Sequence, residues 1–196
     1  MAASGQNIEI GIYMIEQEEF RSLPDEDAEG EIAYQIFDAL PPDWSEVERD
    51  FREEALEDVV KGRFGGHCTP AHGHAVAAIY HAWGQWPEAG PFHQIAADKL
   101  ITAKEAFARH GVIYLAKLLD WSRGTPLLPV AFEGFPRFSY LTSEEIASAV
   151  PIPAPLAWSD DHLVVALCSS LLSIVNEASQ KQGYGLYCVF NVRQAA

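Results

Sequence analysis

Asn7-Ile8-Glu9-Ile10-Gly11-Ile12-Tyr13-Met14-Ile15 repeats with a period of two. Ile8, Ile10, Ile12 and Met14 fall on one face, and Glu9, Gly11 and Tyr13 on the other, the pattern of a strand. A counterpart lies near the other end of the chain. Tyr184 to Val192 alternates Leu186, Cys188 and Phe190 with their neighbours and reads as a second strand. The two are expected to pair in a buried sheet.

Most of the chain between them has helical spacing. Glu31 to Leu40 places Ile32, Ile36, Phe37 and Leu40 on one side and stops at Pro41-Pro42. Ser45 and Glu48 match a capping box, in which hydroxyl and carboxylate each accept an orphan amide. They open a helix whose buried stripe is Val47, Phe51, Ala55 and Val59. Gly62, Gly65 and Gly66 break it. Pro70 suits a helix start, with His74, Ala77, Ala78, His81 and Ala82 as the repeating positions and Trp83-Gly84 as the end. Pro87 to Pro91 is a turn. His93 to Arg109 is expected to be helical through Ile95, Ala96, Leu100, Ala103 and Phe107, with His110-Gly111 as its stop.

Val112 to Trp121 reads as a shorter helix, with a strand as the alternative. Gly124 to Phe138 is irregular, with a short extended piece within Leu127 to Phe132. Thr142 and Glu145 form another capping box for a short helix ending before Pro151. Ser159 or Asp160 then caps the clearest helix, His162 to Lys181. Its stripe of Leu163, Leu167, Leu171, Ile174 and Ala178 is widened by Val164, Leu172 and Val175, as befits a helix lying on a sheet. Gly183 follows its end. The expected fold class is α+β: one helix-rich domain, 1–196, around a small sheet that includes the N- and C-terminal strands.

Tyr140-Leu141-Thr142-Ser143-Glu144-Glu145-Ile146, a spacer, a long helix, Gly183 and then Tyr187-Cys188-Val189-Phe190 resemble the YfbM-like group of bacterial domains of unknown function. The likeness spans Tyr140 to Asn191. It implies a small bacterial α+β protein and carries over no catalytic motif. Genes for small bacterial proteins of this kind can lie beside toxin genes.

Charge is unevenly placed. The first sixty residues hold eighteen Asp and Glu against Arg21, Arg49 and Arg52, which accounts for the whole formal charge of −15. The rest of the chain is balanced. This acidic layer disfavours a nucleic-acid backbone, which requires Lys and Arg to displace counterions, and anionic membrane surfaces. It favours a basic protein partner. No run of about 18 apolar residues or secretory leader pattern is evident. Cys68, Cys168 and Cys188 are too few and scattered for a disulfide framework, so reduced thiols in the cytoplasm are expected.

Two sets of residues are candidates for function. The acids Glu46, Asp50, Glu53, Glu54, Glu57 and Asp58 of the Ser45 helix form the expected partner-binding face. His67, Cys68, His72 and His74 carry the ligand types zinc prefers, with His81 two turns beyond His74. Their spacing matches no zinc motif, and Cys68 lacks a recognised nucleophile signature around it. Ser159-Asp160-Asp161-His162 has the letters of a triad, but adjacent residues cannot relay a proton along one line; a helix cap explains them. Glu144-Glu145 likewise reads as a helix start. The dense aromatics between Trp83 and Tyr140 suit either core packing or an interface rim. The expected function is therefore a non-catalytic acidic binding protein of the immunity or antitoxin type, inhibiting a basic toxin without a cofactor. The alternative is a small metal-dependent hydrolase built on His67, Cys68, His72 and His74, with zinc as a candidate metal.

Overall fold

The computed structural model describes residues 6–18, 54–63, 68–90, 92–128, 134, 136–149 and 160–193. Strands β1 (Asn7–Glu16), β2 (Phe92–Ala96), β3 (Arg137–Leu141) and β4 (Tyr184–Arg193) form one sheet in the order β2-β1-β4-β3. Every pairing is antiparallel. The helices are α1 (54–60), α2 (Pro70–Trp83), α3 (Ala97–Arg109), α4 (Ile113–Leu118), α5 (Ser143–Ala149) and α6 (His162–Ser179). The architecture is the expected α+β, and the two terminal strands are its central pair. The expected helix over Glu31–Leu40 and the start of the Ser45 helix lie outside the described residues.

Both faces of the sheet are covered. On one, Ile8, Ile10, Ile12 and Met14 of β1 join Leu186, Cys188 and Phe190 of β4. Against them pack Leu100 and Phe107 of α3, Leu115 of α4, Ile146 of α5, and Leu167, Leu171 and Ile174 of α6. On the other, Tyr13, Ile15, Phe138, Tyr187 and Val189 meet Leu56, Val59 and Val60 of α1 and Val76, Ile79 and Tyr80 of α2. Alternation along β1 therefore separates an aliphatic layer from an aromatic one; both are core.

Several local expectations need correction. His93 to Ala96 belongs to β2, not to the helix that follows. In register with Ile10 to Asn7, this edge segment gains backbone bonds that only the folded chain supplies. The expected irregular stretch, Gly124 to Phe138, runs into β3 at Arg137 and Phe138. Ser139 of that strand, fully buried, lies opposite Cys188 and donates its hydroxyl hydrogen to the Leu118 carbonyl. In α2 the buried side is His72, Gly73, Ala75, Val76, Ala78, Ile79 and Tyr80, rotated from the expected stripe. Ala and Gly fit either face, and the bulk of Val76, Ile79 and Tyr80 decides the rotation. The cap of α6 is Asp161, whose Oδ1 accepts the amides of Leu163 at 3.0 Å and Val164 at 3.5 Å. Leu163 is 57 % exposed and falls outside the stripe. By length and composition α6 would suit a membrane span, but here its apolar side lies on the sheet.

Gly84 closes α2 where the chain crosses β1. Its amide donates to the Tyr80 carbonyl, and Gln85 then bridges Met14. A Cβ at Gly84 would lie 2.4 Å from the Tyr80 oxygen and 2.7 Å from Tyr13 Cβ. Both obstacles belong to rigid, packed elements, so Gly84→Ala should destabilise the protein by about 2–3 kcal/mol in urea unfolding.

Glu145 ties three elements together. It completes the expected capping box with Thr142, each accepting the other's amide, at 3.1 and 3.2 Å. It also accepts Lys117 Nζ at 2.9 Å, and Arg123 reaches both its oxygens at 2.8 and 2.9 Å. The Arg123 guanidinium lies 4.4 Å from the Tyr140 ring centre. Burial raises the Glu145 pKa, but the bonds from Lys117, the Thr142 amide and Arg123 outweigh it and hold the carboxyl below its ordinary 4.5. A carboxylate depressed on folding adds stability above that ordinary value, and the gain is lost as pH falls through the folded value. Glu145→Gln should therefore lower stability at pH 7 and flatten its decline below about pH 4.5 in pH-dependent urea titrations.

Candidate functional site

The described part of the acidic helix, α1, turns Ala55, Leu56, Val59 and Val60 into the core. Three and four residues apart, Glu54, Glu57 and Asp58 share the opposite side. Glu54 and Glu57 are exposed and Asp58 is half-buried. Glu46, Asp50 and Glu53 lie outside the described residues. Lys61 reaches Glu57 at 3.4 Å, an exposed i,i+4 pair of the kind that contributes little.

Asp58 faces α2. Its Oδ2 lies 3.4 Å from His72 Nε2. On the other side of the ring, His72 Nδ1 accepts the Thr69 amide at 3.0 Å, with Thr69 Oγ1 at 2.9 Å. Thr69 is the N-cap of α2, Pro70 occupies the first turn, and the reciprocal Thr69–His72 bonds form a capping box in which His replaces the usual Glu or Gln. The order Asp58–His72–Thr69 resembles a proton relay. Its Nδ1 lone pair, however, is engaged by a main-chain N–H, so the ring meets Asp58 through its Nε2 hydrogen. Pro70 has no amide to offer an oxyanion. Holding the helix start is what this arrangement does.

Cys68 and His74 are half-buried, and His67 lies outside the described residues. Among the described residues no three His, Cys, Asp or Glu side chains are grouped as metal ligands. Cys168 and Cys188 are core residues, as expected; burial pushes their thiols up to about 11 and about 12.

The rest of the chain largely settles its own charge. Lys99 pairs with Asp161, Lys104 with Asp120, Lys117 and Arg123 with Glu145, and Lys181 with Glu177. Among these described pairs, all the partners lie beyond residue 60. Lys61 and His72 turn toward acids of the first sixty residues, Glu57 and Asp58. Sequence reasoning placed the acids of α1 on the helix but missed the His72 cap, because His is an unusual third residue in a capping box. No family model, curated protein or solved structure matches the chain.

The capping role separates from a ligand role by substitution. His72→Gln preserves a side chain able to accept the Thr69 amide and should leave stability within about 0.5 kcal/mol. His72→Ala orphans that amide and should lower stability by about 1 kcal/mol or more in thermal or urea unfolding.

Proposed function

We propose that this chain is a non-catalytic binding protein that docks a basic protein surface, in the manner of a bacterial immunity or antitoxin-type inhibitor acting in the cytoplasm. The observation that carries the reading is the partition of charge. The described cations beyond residue 60 pair mainly with carboxylates beyond residue 60, while the first sixty residues hold a net −15. An excess so placed attracts a cationic surface over about a Debye length, near 8 Å at physiological salt. It accelerates encounter more than it tightens the final complex. The same charge repels nucleic-acid phosphates and anionic lipid.

On α1 the docking face is Glu54, Glu57 and Asp58, with Glu46, Asp50 and Glu53 as its proposed continuation. Lys61 and His72 temper two of these acids, so Glu54 is the strongest single contributor among the described ones. The basic partner is captured from a lysate of the source cells at low salt, and its association rate is measured against ionic strength. Replacing Glu54, Glu57 and Asp58 with Ser should slow association several-fold at low salt and flatten the salt dependence, with far less effect on dissociation. A rate indifferent to both salt and the triple substitution removes this interface.

A further inference from the structure

β2 is an outermost strand of the sheet and pairs with β1 over five residues, whereas β1 holds ten pairs with β4. Alternation along β2 turns His93 and Ile95 toward the aliphatic layer, in register with Ile10 and Ile8. Ile8 and Ile10 are wholly buried there, and Ile95 nearly so. His93 therefore puts a titratable ring where the pattern calls for an aliphatic side chain. The ring is half-buried, but its Nε2 is fully buried and has no hydrogen-bond partner among the described residues. The charged groups of the neighbouring elements are turned away or engaged. On β1, Glu9 lies on the other face of the sheet, beside Gln94. On α3, Lys99 is held by Asp161 and Lys104 by Asp120, while Asp98, Glu105 and Arg109 are exposed. On α6, Glu177 accepts the Glu88 amide and His162 is exposed. Burial lowers the His93 pKa from its ordinary 6.5, and no charge opposes it.

We infer that β2 is an acid-released strand: its pairing with β1 holds at neutral pH and opens in mildly acidic solution, with His93 as the trigger. A neutral imidazole carries one N–H and one lone pair. Protonation makes both nitrogens donors. At Nε2 that leaves part of a cation against hydrocarbon with no acceptor in reach, a state that opening the strand to water relieves. A histidine whose pKa is lowered on folding adds stability that is complete above about pH 6.5 and is lost as pH falls through the folded value. The opening is local because β1 stays anchored by its ladder to β4, and α3 by Leu100 and Phe107 in the core. What it uncovers is the edge of β1 at Ile8 and Ile10, a row of main-chain groups open to pairing with another strand.

Native-state amide exchange, corrected for the pH dependence of intrinsic exchange, is followed by NMR on the ¹⁵N-labelled full chain at pH 7.5 and 5.5, together with titration of the His93 ring. Protection of the β1–β2 ladder should fall at least about threefold at pH 5.5 relative to the β3–β4 ladder, and the ring should titrate below 6.5. His93→Phe, apolar and similar in shape, and His93→Gln, polar but not titrating, should each abolish the fall. His72→Gln should leave it intact, which separates the edge strand from the cap of α2. Protection that is the same at both pH values, or that falls alike in the two ladders, overturns the inference. So does a His93 ring that titrates at or above 6.5, a fall that persists in the His93 variants, or one that vanishes in His72→Gln.

Discussion

Ten consecutive residue pairs join β1 to β4, from Asn7 opposite Arg193 to Glu16 opposite Tyr184. Closing so long a loop costs conformational entropy, though the cost grows only logarithmically with length. What offsets it is burial on both sides of the pair. Ile12 lies opposite Cys188, Tyr13 opposite Tyr187, and Gly11 opposite Val189. A slip of one residue would exchange the aliphatic layer for the aromatic one, and neither set of helices would fit the result. The register then dictates where polar groups are needed. Burial holds Tyr80 neutral, its pKa far above the ordinary 10, and its hydroxyl meets Thr125 at 2.5 Å. Tyr187 receives the Gln17 amide at 3.4 Å, and Gln17 in turn accepts the Ser143 hydroxyl at 2.7 Å. Polar satisfaction at the end of β1 thus fixes the start of α5.

The same economy governs charge. Glu145 serves Lys117, Arg123 and the Thr142 amide at once, binding α4, α5 and the segment leading to β3. Asp161 caps α6 and pairs with Lys99 of α3; the Lys99 bond is the main cause of its lowered pKa. These carboxylates are structural and are already occupied by partners of the same fold. The exposed acids of α1 contribute little to folding. Their side of the helix faces solvent, and their repulsion is a cost that recognition of a cation would justify.

How much was legible in the sequence follows from where each signal resides. β1 and β4 announce themselves because alternation over nine or ten residues is local and long. The Thr142–Glu145 box and the α6 stripe are equally self-contained. β2 and β3 are five residues each and sit at the edges of the sheet. Their pairing partners are distant in sequence, so the aliphatic spacing around Ile95 continued smoothly into α3 and hid the strand. The α2 stripe was misplaced because nine of the helix's fourteen residues are Ala, Gly or His, whose burial is decided by the opposing surface. At the site, the location of the acids could be read directly, whereas the His72 cap and its Asp58 partner depend on contacts between elements.

Titration behaviour carries the last step. The buried groups with displaced pKa values are all driven toward neutrality. Burial takes Tyr13 to about 12 and raises Tyr114, and it lowers His93. The thiols of Cys168 and Cys188 move the same way. The displaced groups nearer the surface, Lys99, Asp120, Glu145 and Asp161, are driven toward ionisation. General acid–base catalysis draws on a group poised near the working pH, shifted toward it by its surroundings. Each of these displacements runs the other way, widening the gap between neutral interior and charged exterior. Among the described residues with displaced values, the charge state at neutral pH is therefore fixed rather than poised to change.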